Sequence, residues 1–235
     1  MSAAPETVTQ RVASVRERVS RAAAAAGRDP GDIEIIAVTK NVAIPAMREA
    51  ATAGLAAFGE NRVQEFMVKA DFFPKINWHI IGHLQSNKVK YIIGRCALVQ
   101  SVDRESLAAE IDRRCRAQSM TQPVLVEVNI GREPQKSGVA PEALWALLDS
   151  MLEMPGVSVR GLMAIPPLGE SARPWFARMR RLIDEAERRY PRAGLTTLSM
   201  GMSADFEQAI AEGATMIRVG SALFGPRSPQ AGREG

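Results

Sequence analysis

The chain opens on a helical period and then changes pattern. Val8, Val12, Val15 and Val19 recur at three- and four-residue intervals, which predicts an amphipathic helix over residues 6–27. Thr7 and Gln10 fit a capping box at its start, and Gly27 is placed to end it. Asp29-Pro30-Gly31 makes a turn. Beyond it, short apolar, β-branched runs alternate with longer stretches of helical period. The runs predict strands over 33–40, 56–60, 78–82, 97–102, 124–130, 159–165, 196–200 and 215–220. Predicted helices lie between them, near 45–54, 62–70, 84–93, 104–118, 141–153, 173–190 and 204–212.

The first run, Ile33 to Val38, is apolar at almost every position rather than at every second one. That pattern belongs to a strand covered on both faces, as in parallel sheets. Eight such strands alternating with helices are closed most simply as a single (β/α)8 TIM barrel, with the helix over 6–27 as an extra N-terminal element. The runner-up, an open doubly wound sheet, usually carries a Gly-rich first turn, and neither GxGxxG nor GxxxxGKS occurs here.

Composition narrows the class. The chain has 235 residues, 46% of them hydrophobic, enough for one sizeable core. One barrel domain over residues 1–227 is expected, followed by a polar, flexible tail over 228–235. No apolar run approaches the ~20 residues that span a bilayer, and no signal peptide is expected. Cys96 and Cys115 make no disulfide framework, so a cytoplasmic location is expected. The net charge of +4 raises the question of nucleic acid. The arginines are nonetheless scattered among acidic residues, and aromatics are only 5%. A solvated helix surface fits that better than a binding stripe, and an anionic small ligand is compatible with it. No metal site is expected. His79 and His83 would share a strand face instead of forming a helical pair. Trp78 and His79 read as core, Met200 and Met202 as packing.

Three stretches carry candidate chemistry. Lys40 ends the first strand, at the end where barrels place their active sites. A partly desolvated amine there can condense with an aldehyde, or it can simply leave the sheet for water. Leu198-Ser199-Met200-Gly201-Met202-Ser203 turns the seventh strand into a helix. Gly201 would let backbone approach a ligand, and Ser203 would cap the helix or offer its hydroxyl. Arg218-Val219-Gly220-Ser221 ends the eighth strand with the same small, hydroxyl-bearing chemistry. Barrels frequently bind phosphate at those two loops. Arg218 itself needs a partner, either a structural ion pair or a bound ring above it. An amine, a phosphate cradle and a buried cation on one face together suggest pyridoxal 5′-phosphate.

Longer motifs make the suggestion specific. They are Ala37-Val38-Thr39-Lys40, Phe58-Gly59-Glu60-Asn61-Arg62-Val63-Gln64-Glu65, Trp78-His79-Ile80-Ile81-Gly82-His83-Leu84-Gln85-Ser86-Asn87-Lys88, Val128-Asn129-Ile130, Lys136-Ser137-Gly138, Arg160-Gly161-Leu162-Met163-Ala164-Ile165-Pro166, and the stretches at 198–203 and 218–220. In these the chain closely resembles the pyridoxal phosphate homeostasis protein family, whose barrel is that of the N-terminal domain of alanine racemases. The match runs from about residue 6 to 227. The resemblance implies that Lys40 is the Schiff-base lysine. It implies that Ser203, Gly220 and Ser221 hold the phosphate, with Met202 contributing backbone. Arg218 would face the pyridine nitrogen, Asn61 would line the pocket, and Lys136 would lie near its entrance. Two stretches depart from the family pattern: Asn41-Val42-Ala43-Ile44-Pro45 after the lysine, and Asp71-Phe72-Phe73-Pro74.

Two functions remain distinct at this point. One is a carrier that binds pyridoxal phosphate and releases it or hands it to apo enzymes without turnover. The other is a racemase, which needs a base on each face of the cofactor. Alanine racemases take the second base, a Tyr, from a further domain across a dimer. The tyrosines here, Tyr91 and Tyr190, fall in helical stretches. An Arg at the ring nitrogen also weakens the electron sink. The carrier, as a monomer and not an enzyme, is the favoured expectation. A Schiff-base aldolase using the same Lys without cofactor is the third.

Overall fold

The computed structural model describes residues 6–167, 169 and 171–226, so the tail expected at 228–235 lies outside the described residues. Eight parallel strands close into a barrel in sequence order: β1 (Glu34–Val38), β2 (Ala57–Glu60), β3 (Asn77–Ile80), β4 (Leu98–Val102), β5 (Gln122–Glu127), β6 (Val157–Met163), β7 (Thr197–Ser199) and β8 (Met216–Val219). β8 returns to β1 through the pairs Ile35 to Ile217 and Ala37 to Val219. The helices are α1 (Val8–Ala25), α2 (Ile44–Thr52), α3 (Val63–Ala70), α4 (Glu105–Arg116), α5 (Leu144–Leu152), α6 (Arg173–Arg189), α7 (Phe206–Ala211) and α8 (Ser221–Phe224).

The first helix forms for the reasons its sequence states. Thr7 and Gln10 make the full capping box, and Val12, Val15, Val19 and Ala23 are its buried face. Gly27 is the residue past the cap, at φ 66°. Its N–H bonds the Ala24 carbonyl and the Arg28 N–H bonds that of Ala23, a Schellman ending. α1 packs outside the barrel on α2, α7 and α8. Arg18 reaches Glu207 at 2.7 Å, and Arg28 caps the Ile210 and Ala214 carbonyls.

Two expectations are corrected. The segment after β3 is a 3-10 stretch, Ser86–Tyr91, not an α-helix. Its buried anchor Val89 and the buried Ile92 that caps it are three residues apart, which suits three residues per turn. β3 itself stops at Ile80, so His83 lies beyond the strand on the exposed rim and does not share a strand face with His79.

Side chains on the lumen face form an apolar plug of Ile36, Ala57, Leu98, Leu125, Met163 and Met216. A larger apolar layer lies between sheet and helices, and Trp78 packs there edge-on against Phe58, Phe66 and Phe73. Strand alternation continues each lumen face upward: Ile36 to Val38 to Lys40, Leu98 to Gln100, Met216 to Arg218. The carboxyl mouth of the barrel is therefore polar above an apolar floor. Among the described residues, no helix is long and apolar enough to cross a membrane.

Candidate functional site

One cavity of about 390 Å³ lies at that mouth, and it is lined by Lys40, Asn61, Met202, Ser203, Arg218, Gly220 and Ser221. The structure thus brings together the seven residues that the resemblance gives to the pocket, while Gly201 and Lys136 lie outside its wall. Val38, Ile81, Ile165 and Ala204 complete the wall and make part of it apolar. Lys40 and Gly220 also border an adjoining cavity of about 360 Å³.

Lys40 leaves the end of β1 in a tight turn. The Val42 N–H bonds the Thr39 carbonyl at 2.9 Å, and Asn41 sits at φ 60°. A turn with Lys40 second and a left-handed third residue is of the type II kind, which accepts Asn where most residues strain. The departure at Asn41 is therefore structural. Asn61 is seated by Gly82, because a Cβ at Gly82 would meet the Asn61 carbonyl at 2.4 Å.

Arg218 is buried inside the barrel. Its Nη1 donates to Ser199 Oγ at 2.7 Å and its Nη2 to the Ala164 carbonyl at 2.9 Å. Both of these partners are neutral oxygens, so a structural ion pair is not what holds it. Burial pulls its guanidinium down to about 10, with Glu127 and Asp205 opposing from a distance, and it remains charged at neutral pH. Ser199 passes the chain on to Gln100 Oε1 at 2.7 Å, across the lumen from β7 to β4. Gln100 Nε2 meets His79 Nδ1 at 2.9 Å. With Nδ1 accepting, the His79 proton sits on Nε2. Burial lowers that imidazole to about 4, so it is a neutral core histidine.

The loops after β7 and β8 meet through Ser203. Its Oγ accepts the N–H groups of Gly220 and Ala222, both at 3.2 Å. Ser203 therefore ties the start of α8 and does not cap α7, whose N-cap residue is Asp205 and which has no side-chain cap bond. Its own hydroxyl proton stays free for an acceptor in the cavity. Gly201 is also corrected. At φ 89°, a Cβ there would meet Ala209 Cβ at 2.6 Å, so it allows close approach of α7, not of a ligand. The Met202 N–H is taken by Asp205 at 2.6 Å and is not available to an anion. Met200 is core.

Lys136 lines none of this cavity. Its ammonium bonds the Pro166 carbonyl at 3.0 Å and pairs with Glu133. Pro166 follows Ile165 of the wall, so Lys136 stands just outside it. His83 is 3.6 Å from Asp103 on the rim. Among the described residues, no group of three His, Cys, Asp or Glu could hold a metal ion. Sequence reasoning did not find Ser199, Gln100 or Glu127. Glu127 ends β5, accepts from Ser137 at 2.9 Å, and is pushed up to about 7, mainly by burial.

A barrel with an amine, a buried cation and a hydroxyl-lined turn at its carboxyl mouth is an anion- and carbonyl-binding class of site. Comparison with known proteins makes it particular. Residues 11–228 match the model of the alanine racemase N-terminal domain. A pyridoxal phosphate homeostasis protein of Aquifex aeolicus is 46% identical, over 93% of this chain and 97% of that one. One of Pseudomonas aeruginosa is 44% identical, over 94% and 96%. The solved structure of PipY of Synechococcus elongatus with pyridoxal phosphate bound is 38% identical, covers 93% of this chain and 100% of that one, and has a TM-score of 0.82. The chain belongs to the alanine racemase N-terminal domain family and, within it, to the pyridoxal phosphate homeostasis proteins.

Proposed function

We propose that this protein binds pyridoxal 5′-phosphate covalently at Lys40 and serves as a store and donor of it, without amino-acid turnover. The observation that carries the reading is the convergence of Lys40, Arg218 and the Ser203–Gly220–Ser221 turn on one cavity. The bound state of PipY supports it. When bound, the cofactor supplies an aldehyde that condenses with an amine, forming a C=N bond and losing water.

The chain's residues fit that group. Lys40 Nζ is the amine on the lumen side of β1. The Ser203 hydroxyl and the backbone and hydroxyl of Ser221 present donors where a phosphate would lie. Arg218 is held by two neutral oxygens and keeps its charge for the ring nitrogen. A guanidinium so fixed would donate to that nitrogen and disfavour its protonation, which would stabilise binding while weakening the electron sink of catalysis. Asn61 and the apolar wall of Val38, Ile81 and Ile165 would line the place of the ring.

A racemase needs an opposing base. Tyr190 is bonded to Asp149 at 2.6 Å, between α6 and α5, and Tyr91 lies in the 3-10 stretch. Neither lines a cavity that holds Lys40. We read the protein as a cytoplasmic monomer whose recipients are apo enzymes that use the same cofactor. The test supplies D- and L-alanine to loaded protein in deuterated water, beside an apo recipient enzyme in a second assay. The expected result is recovery of the recipient's activity with α-proton exchange no faster than free cofactor gives. Exchange on the order of 1 per second or faster would overturn the carrier reading.

A further inference from the structure

Behind Lys40, on the outer side of the barrel, lies a buried polar cluster that contributes no wall to the cavity. Lys69, in the last turn of α3, donates to the Thr39 carbonyl at 2.7 Å, to Glu60 at 2.7 Å and to Glu65 at 2.9 Å. Thr39 Oγ1 donates to the same Glu60 oxygen at 2.6 Å. Glu65 also accepts the N–H of Asn41 at 3.0 Å. The residues on both sides of Lys40 are thus gripped by groups from β2 and α3. An ammonium with three oxygen acceptors has no donor left over, so Lys69 is itself removed from competition for an aldehyde.

The cluster is a costly way to build a wall. Glu60 is fully buried, and its Oε2 has no partner. Burial pushes its carboxyl up, and Lys69 and Thr39 only partly offset that. Apolar side chains of the same volume would stabilise such a position at least as well. What the ions add is a fixed direction for two backbone groups and one side-chain group around one turn: the Thr39 carbonyl, the Asn41 N–H and the Thr39 hydroxyl.

We propose that Lys69, held by Glu60 and Glu65, is a positioning residue: it fixes the turn Thr39–Val42, and so the direction in which Lys40 enters the cavity and how long the cofactor is retained. This rests on the reading of Lys40 as the cofactor amine. Borohydride reduction of loaded wild-type protein separates the two, because a label on any other residue removes that reading before the clamp is tested.

Two variants then decide. Glu65→Ala changes a partly buried helix position and frees the Asn41 N–H. The double variant Lys69→Met with Glu60→Gln removes both buried charges and leaves Thr39 Oγ1 an acceptor. Each is read by melting without cofactor, by the visible circular dichroism of bound cofactor, and by its release rate into excess semicarbazide. We expect melting close to wild type, altered dichroism, and release about fivefold faster or more, the scale of one ordinary hydrogen bond. Release within about twofold of wild type with unchanged dichroism in Glu65→Ala would overturn the proposal, whether or not the double variant folds.

Discussion

Arg218 reaches Ser199, not a carboxylate: Nη1 lies 2.7 Å from Ser199 Oγ, and Nη2 takes the Ala164 carbonyl at 2.9 Å. A buried guanidinium held by neutral oxygens keeps its charge for whatever occupies the cavity. The fork geometry matters, since one hand grips β7 and the other the residue just past β6. Arg218→Lys offers a point charge that cannot span both acceptors. We expect it to lose about 1–3 kcal/mol of stability in urea without cofactor, the cost of one unsatisfied buried group. The visible band of bound cofactor should shift in the same variant. Unchanged stability and spectrum would show that the fork is dispensable.

The pH response has two opposed arms. His79, at about 4 against an ordinary 6.5, stabilises the fold above pH 6.5 and stops doing so as pH falls toward 4. Glu127, at about 7 against 4.5, does the reverse: its stability is present below pH 4.5 and is lost as pH rises through 7. Each shift corresponds to about 3 kcal/mol, so between pH 5 and 6.5 the two nearly cancel. Glu127→Gln removes the falling arm and keeps an acceptor for Ser137. Its stability should climb about 2–3 kcal/mol more than wild type between pH 5 and 7.5. Urea midpoints at those pH values check this, and parallel curves for the two proteins would refute it.

Ser203 accepts two N–H groups and has one proton to give. Pyridoxal lacking its phosphate should therefore bind more than tenfold weaker than pyridoxal phosphate, from charge-assisted bonds of ~1.5–3 kcal/mol each. Ser203→Ala should narrow that ratio, and titration of both vitamers against both proteins measures it. Because Ser203 also ties α8, melting without ligand is the necessary control.

Gly201→Ala tests the geometry beneath that loop. A methyl group would meet Ala209 Cβ at 2.6 Å from a backbone at φ 89°. We expect a loss of about 2 kcal/mol or more, with weaker cofactor binding because Met202 and Ser203 follow directly. A variant as stable as wild type would mean that α7 yields freely.

Legibility followed chain locality. The apolar run ending at Lys40 and the two small-residue turns at 201–203 and 220–221 are local signals, and they located the cavity. Strand ends were drawn a residue or two too long, as at Lys40 and Gly82, because side-chain alternation continues past the last ladder bond. Of the two roles the sequence offers Ser203, cap or free hydroxyl, the cap of the next helix fails, because its partners lie 17 and 19 residues on. The Ser199–Gln100 bond joins residues 99 apart, and the Lys69 clamp draws on three elements. Neither leaves a local pattern. Buried polar groups become visible only when closure of the barrel gives them partners.

The account depends most on the identity of the amine. Loaded protein should be reduced with borohydride in its native state, digested and mapped by mass spectrometry. The expected result is a single phosphopyridoxyl group on Lys40. A label on Lys69, Lys88 or Lys136 in the native protein would contradict the account.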